Sequence, residues 1–356
     1  MKIGILTYHR TLNYGACLQA IATRVILEKM GHQAFYVDYW PKYHQNIYKA
    51  FSFDKFWSLT SFRWKMRYLI SVVYRAKRNN KFKEFLNKYI ISYSKSPNEK
   101  FDVIIYGSDQ IWRKQKALND YNPIYFAQNN FFAHKHVAFS ASMGLLPDSD
   151  IEKEKIKSLL GRFNSISVRE KDLKKLLESM GVSPVLQTLD PTLLIQAEEW
   201  NTIIPTDPYS GPKYVLVYGI ARQTPFNMES VKKYACEKGC IIKNLYGTAD
   251  KADKENEIYS ANPYEFISLI KNAECIFTSS FHGLAFSIIF EKEFFSSYKN
   301  NSNRAQTLLE SLDLKDRLLI CNQPIPQQIS PINYNEVNKK KDQLINNTID
   351  YMIHSL

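Results

Sequence analysis

No stretch of this 356-residue chain reaches the roughly 18 consecutive apolar residues that a bilayer-spanning helix requires. The first ten residues, MKIGILTYHR, read as a buried strand running into a loop and lack the apolar core of a signal peptide, so a cytoplasmic protein is expected. Cysteine is sparse and odd in number: five residues, none of them in a CxxC pair. That usage fits reduced thiols rather than a disulfide framework. Cys236 and Cys240 share a helical spacing, but two thiols do not make a zinc site. HExxH, GxSxG and a Walker loop are all missing, which argues against a zinc protease, an acyl hydrolase and a P-loop nucleotidase. The GxGxxG fingerprint is missing as well, so neither a nicotinamide nor a flavin is expected, and no metal.

What remains has the composition of a folded protein. Apolar residues make up 45% and charged residues 23%, close to globular averages, so wholesale disorder is excluded. The length suits two domains. A net charge of +12 calls for an anionic partner, and nucleic acid, anionic lipid and a phosphorylated substrate all qualify on charge alone. Tyr and Phe are abundant, at 23 and 21 residues, which suits both cores and sugar sites.

Short apolar runs alternate with longer amphipathic stretches, the pattern of parallel sheets covered by helices. Strands are expected at residues 3–8, 34–39, 101–106 and 136–141, with helices at 16–30, 151–163 and 171–180. A second unit begins near Lys213, with strands at 214–219, 240–245, 274–279 and 294–298 and helices at 225–237, 263–272, 282–290 and 305–312. The turn-rich DPYSGP at 207–212 separates the halves. The expected fold is therefore α/β, with two Rossmann-like βαβ domains facing a cleft. They span residues 1–205 and 213–330, and a last helix at about 335–356 packs back on the first domain. Ligands of open α/β sheets bind at the carboxyl ends of the strands.

Between residues 41 and 100 the sheet pattern stops and Lys and Arg outnumber acids. Residues 62–78 can form an amphipathic helix, with Phe62, Met66, Leu69, Ile70 and Val73 on one side and Arg63, Arg67, Arg75 and Arg78 elsewhere. Two readings stand: a helix lying on an anionic membrane, or a packed helix with a solvated charged face.

The strongest local signal is Thr278-Ser279-Ser280-Phe281-His282-Gly283, where an apolar strand opens into a helix. Unpaired N–H groups and the positive dipole end suit an anion there. Gly283 admits close approach, and His282 is either an acid/base or a structural side chain. Asn13 and Gly15 occupy the matching loop of the first domain, as ligand groups or as a turn with a helix cap. Gly107-Ser108-Asp109-Gln110 ends another strand, offering hydroxyl, carboxylate and amide to a sugar or phosphate, or a plain turn. Arg169 ends a short strand and can fork onto carboxylate or phosphate, or pair with Glu170. Asp190 caps or orients a neighbour, and Arg304 opens a helix where a cation can face the cleft. His32, His44 and His354 look peripheral.

Taken in order, these segments resemble the polysaccharide pyruvyl transferase family. The matching pieces are Asn13-Tyr14-Gly15-Ala16-Cys17-Leu18-Gln19, Gly107-Ser108-Asp109-Gln110-Ile111-Trp112, Ser167-Val168-Arg169-Glu170, Leu189-Asp190-Pro191, residues 273–278 and Ser280-Phe281-His282-Gly283. The resemblance implies a glycosyltransferase-B-like fold and transfer of a pyruvyl group from phosphoenolpyruvate to a sugar hydroxyl pair. The product is a ketal, often a 4,6-ketal on a hexose such as galactose, in capsule or exopolysaccharide biosynthesis. It implies His282 and Arg169 as catalytic residues, and Ser279, Ser280, Gly283 and Arg304 on the donor side, in the C-terminal domain. Asn13, Gly15, Ser108, Asp109, Gln110 and Asp190 then lie on the acceptor side or in the cleft. Several members carry Arg two residues before the histidine, where this chain has Ser280, so Arg169, Arg304 or a loop lysine must neutralise more of the donor's charge. The implied acceptor is a lipid-diphosphate-linked saccharide, which gives residues 62–78 a role in peripheral contact with the inner face of the membrane. No cofactor beyond the co-substrate phosphoenolpyruvate and no nucleic acid are expected. A sugar-nucleotide glycosyltransferase of the same fold is the alternative.

Overall fold

Strands covered by helices on both faces read as continuous apolar runs, and the computed structural model places such runs at the centre of two parallel sheets. It describes residues 1–219, 224–299, 303–326 and 329–356. The first sheet has seven strands in the order β3-β2-β1-β4-β5-β6-β7, all parallel. They are β1 (Lys2–Leu6), β2 (Gln33–Val37), β3 (Ser94–Lys95), β4 (Phe101–Tyr106), β5 (Ala133–Ala141), β6 (Ser165–Val168) and β7 (Val185–Gln187). Helices α1 (Tyr14–Lys29), α5 (Asp150–Leu160), α6 (Lys171–Ser179) and α7 (Ala197–Ile203) belong to this half.

The second sheet is also parallel, in the order β10-β9-β8-β11-β12. It comprises β8 (Tyr214–Gly219), β9 (Ile241–Tyr246), β10 (Glu257–Ile258), β11 (Cys275–Thr278) and β12 (Glu293–Ser296). Its helices are α8 (Met228–Glu237), α9 (Pro263–Lys271), α10 (Phe281–Ile289) and α11 (Asn303–Ser311). Two Rossmann-like domains thus face each other. The last helix, α12 (Tyr334–Ser355), crosses to the first domain: the Tyr351 hydroxyl donates to the Ala138 carbonyl (2.8 Å), and the Thr348 hydroxyl accepts from the Leu189 N–H (3.1 Å).

One apolar core joins the halves. Tyr14 of α1 stacks on Phe266 of α9 at 4.6 Å and donates to the Ala261 carbonyl, while Trp200 of α7 meets Phe286 of α10 edge-on. Burying aromatic area at this seam sets how the strand tips of the two sheets meet.

The insertion departs from expectation in four ways. It contains two short helices, α2 (Lys42–Ile47) and α3 (Phe53–Trp57), and the sheet resumes at Ser94, before residue 100. Its main helix, α4, runs 28 residues from Phe62 to Tyr89, because buried Phe82, Phe85 and Tyr89 prolong a packing face beyond residue 78. The reading of α4 as a packed helix with a solvated charged face is corrected over its first half. Phe62, Met66, Leu69, Ile70 and Val73 are exposed, while Tyr68, Ser71 and Arg78 are buried. The Arg78 guanidinium donates to the carbonyls of Leu12 and Gly247, one from each domain, and lies over the Tyr14 and Phe82 rings. Docking this cation across the seam turns the helix, so its apolar stripe faces outward.

Candidate functional site

The connections that follow β1, β4, β6, β7, β11 and β12 converge at the carboxyl ends of the two sheets, where parallel α/β folds place ligands. From β11 the chain enters α10 through Ser280, whose hydroxyl accepts from the Gly283 N–H at 3.3 Å. Ser280 serves as the helix N-cap, and a Cβ at Gly283 would meet the Thr278 hydroxyl at 2.2 Å, so this glycine permits helix–strand contact. The backbone N–H of Ser279 goes to the Tyr218 carbonyl at 3.1 Å. Phe281 and His282, the next two helical residues, keep N–H groups that no intrahelical carbonyl can take.

His282 is buried, 7% exposed, but it lies at the domain junction rather than inside one domain. A Cβ on Gly15 of α1 would come within 1.9 Å of its Nδ1, so glycine is required there for the imidazole to fit. Asn13 caps α1 by accepting from the Ala16 N–H at 3.2 Å. Its side-chain oxygen is thereby a cap, as one of its two sequence readings has it.

The His282 Nε2 lies 3.5 Å from Oδ2 of Asp190, the first residue after the short segment that follows β7. Asp190 is fully buried and also takes the Arg169 guanidinium, the Thr192 N–H (3.0 Å) and the Thr192 hydroxyl (2.7 Å), with the Ser108 hydroxyl at 3.5 Å. Burial alone would raise its pKa, but Arg169, His282 and Thr192 outweigh burial and hold the carboxyl well below the usual range. Asp190 is therefore the anionic hub of the cluster.

Arg169, at the tip of β6, is 4% exposed, and its Nε and one terminal nitrogen have no hydrogen-bond partner among the described residues. Unsatisfied buried guanidinium donors are costly and point to an absent acceptor. The reading of Arg169 as a surface partner of Glu170 does not describe it; its carboxylates are Asp190 and, at 3.6 Å, Asp109. Arg304 lies beside it, 3.9 Å from Asp109, and the two guanidiniums sit 5.1 and 5.3 Å from the Phe281 ring. Burial, then repulsion from Arg169, lowers the Arg304 pKa, and Glu170, Asp109 and Tyr298 oppose that shift. Two neighbouring cations, one buried and one half-buried, favour an anion between them.

Ser108 and Asp109 reach the cluster because Gly107 adopts φ +122°, and a Cβ there would strike the Phe139 carbonyl at 2.2 Å. Gln19 ties this loop to the first: it donates to the Thr7 hydroxyl at 2.9 Å and accepts from the Ser108 N–H at 3.2 Å. Gln110 turns away toward Gly144. A cavity of about 40 Å³, room for a few waters, adjoins Arg169, Asp190, Phe281 and Arg304. Among the described residues, no group of three His, Cys, Asp or Glu is placed to hold a metal, and no helix is long and apolar enough to cross a membrane.

Sequence reasoning missed Tyr48, half-buried, which follows α2. Burial, then nearby Cys17 and Asp109, push its phenol up. Nothing local marks it, since only the fold of the insertion brings it there. His44, expected at the periphery, is instead buried against Tyr8 at 4.7 Å, and burial lowers its pKa to about 4.

No curated protein matches the chain. Among solved structures, the fold is similar to Staphylococcus aureus MnaA with UDP (12% identity, 99% of this chain and 90% of that chain, TM-score 0.48). It is also similar to UDP-N-acetylglucosamine 2-epimerase from Rickettsia bellii (12%, 99% and 97%, TM-score 0.47) and to the E. coli heptosyltransferase WaaC with ADP (11%, 97% and 100%, TM-score 0.42). The sequence model of the polysaccharide pyruvyl transferases matches residues 13–300, which includes Asn13, Ser108, Arg169, Asp190 and His282 and stops short of Arg304. By that match the chain is a transferase and belongs to the polysaccharide pyruvyl transferase family.

Proposed function

We propose that this enzyme transfers a pyruvyl group from phosphoenolpyruvate to two hydroxyls of a saccharide, forming a ketal and releasing phosphate. The observation that carries the reading is the pair of cations, buried Arg169 with unsatisfied donors and half-buried Arg304 beside it, set against the imidazole of His282. A small dianion with a carboxylate suits such a pair.

In the reaction, a proton adds to the donor's methylene carbon and leaves the adjoining carbon electron-poor. A sugar hydroxyl attacks that carbon and loses its proton. The C–O bond to phosphate then breaks, phosphate departs with the bonding pair, and a second hydroxyl attacks the same carbon, gives up its proton and closes the ring. His282 is the acid/base, positioned by Asp190 and by the space at Gly15. Arg169 and Arg304 hold carboxylate and phosphate, and the free N–H groups at the start of α10 stabilise the departing phosphate. With Ser280 acting as a cap, Arg304 takes over charge neutralisation. The C-terminal domain is the donor side, and Ser108, Asp109, Asn13 and Gly15 face the acceptor.

The acceptor in this reading is lipid-diphosphate-linked, a precursor of capsule or exopolysaccharide. The outward stripe of Phe62, Met66, Leu69 and Val73, flanked by basic residues, rests on the inner face of the membrane. Phosphoenolpyruvate-dependent phosphate release with candidate lipid-linked sugars tests the reaction; release of UDP from UDP-sugars instead would establish the glycosyltransferase alternative.

A further inference from the structure

The chain leaving β12 brings a tyrosine to the same end of the cleft. Beyond Ser296 it stays paired for one more step, because the Ser297 N–H donates to the Thr278 carbonyl at 3.2 Å. The register of β11 and β12, with Thr278 opposite Ser296, therefore sets Tyr298 level with Ser280, the cap of α10. Neighbouring strands run about 4.8 Å apart, so the backbone at Tyr298 passes beside the helix start where the Phe281 and His282 N–H groups are free.

Alternation along the strand gives the side chain its direction. Phe294 belongs to the core that joins the two halves, and Phe295 to the core beneath α8. Tyr298 falls on the face of Phe294 and packs against the joint core. Its hydroxyl oxygen is buried and has no hydrogen-bond partner among the described residues. The Tyr36 hydroxyl is buried in the same way, but the Arg24 guanidinium lies against it. In the second domain the buried Tyr214 hydroxyl donates to the Leu269 carbonyl at 2.8 Å. A buried hydroxyl left without a bond is destabilising, so an orphan in a native fold calls for an absent partner.

The neighbours of Tyr298 say what that partner is. Arg304 acts on its phenol, and Arg169, with unsatisfied donors of its own, lies next to Arg304. Burial pushes the phenol up while Arg304 opposes, so the group stays protonated and remains a donor. It adds a hydrogen bond to an anion without adding a third charge to two cations that already repel.

We propose that Tyr298 is a donor-binding residue whose hydroxyl donates to a phosphate oxygen. With Arg304 and the free N–H groups of α10 it forms a phosphate pocket on the second domain, while Arg169 takes the carboxylate from the first. That the phosphate is carried by phosphoenolpyruvate rests on the pyruvyl-transfer reading; the bond itself is measurable without turnover.

Tyr298→Phe deletes the hydroxyl and keeps the ring, and Tyr214→Phe is its reference. Each full-length variant is followed by thermal unfolding and by isothermal titration with inorganic phosphate and with phosphoenolpyruvate. Ligand-free Tyr298→Phe should melt at or above the wild-type temperature, because an unsatisfied group is lost, yet bind both probes about tenfold or more weakly. Tyr214→Phe breaks a bond already made, so it should melt lower and keep wild-type affinity. A lowered ligand-free melting temperature in Tyr298→Phe would make the hydroxyl structural and overturn the proposal. Unchanged affinity in that variant, an equal loss in Tyr214→Phe, or no binding of either probe to the wild type would overturn it as well. Phosphate binding that depends on Tyr298 in a chain that transfers no pyruvyl group to any glycan would keep the pocket and sink the reaction. Transfer with an unchanged KM for phosphoenolpyruvate in Tyr298→Phe would do the opposite.

Discussion

Two helix starts face each other across the domain seam, built alike and used differently. Both α1 and α10 follow a parallel strand, both are capped by a short polar side chain, and both carry glycine in the first turn. At α1 the glycine supplies space; at α10 the neighbouring position supplies an imidazole that occupies that space. A helix N-terminus is thus a generic device, and its function here depends on what the opposing element leaves room for.

The largest break in this comparison is His282→Ala, which removes the one group without a counterpart at α1. Phosphate release should fall by about 10²–10⁴ while thermal unfolding changes little, and wild-type turnover would end the acid/base assignment.

Asp190→Asn removes the carboxylate that Arg169 and His282 share. The uncompensated buried guanidinium should cost about 3–5 kcal/mol in urea unfolding. The sign of the pH effect follows from the depressed pKa of Asp190 in the folded state. Its stabilisation is complete above its unfolded value of about 3.9 and is lost as pH falls toward the lower folded value. Acid unfolding should therefore be shallower in the variant than in the wild type below about pH 4; identical acid limbs would contradict this.

Gly15→Ala tests the opposing side. A methyl placed 1.9 Å from the His282 ring must displace it, so turnover should drop with a stability loss of about 1–3 kcal/mol. Retained activity would mean that the ring needs no such seat.

The smallest effects should be the most symmetrical. Asn13→Ala and Ser280→Ala each delete one cap bond and should each cost about 1 kcal/mol by urea titration. A much larger loss of activity in the Ser280 variant would mean that its hydroxyl does more than hold the helix.

The alternation of buried strands and helices was legible along the chain because both faces of a parallel sheet are covered, leaving unbroken apolar runs such as residues 101–106. The shortest pieces were not: β3 and β10 span two residues each and β7 three, too few for periodicity to register. The motif residues Arg169, Asp190 and His282 stood out singly, but their union could not be read, since 21 and 92 positions separate neighbouring members. The amphipathic pattern of α4 was also visible, yet which face turned inward depended on Arg78 finding carbonyls from two domains.

Local order thus came from the sequence: the parallel α/β class, the punctuation between the halves, and the polar tips of the strands. These follow from short-range patterning of apolar and turn-forming residues. Tertiary structure alone decided that Asp190 compensates Arg169, that Gly15 makes room for His282, and that Arg78 of α4 binds both domains. Each joins residues far apart in the chain, and only packing across the seam makes them neighbours.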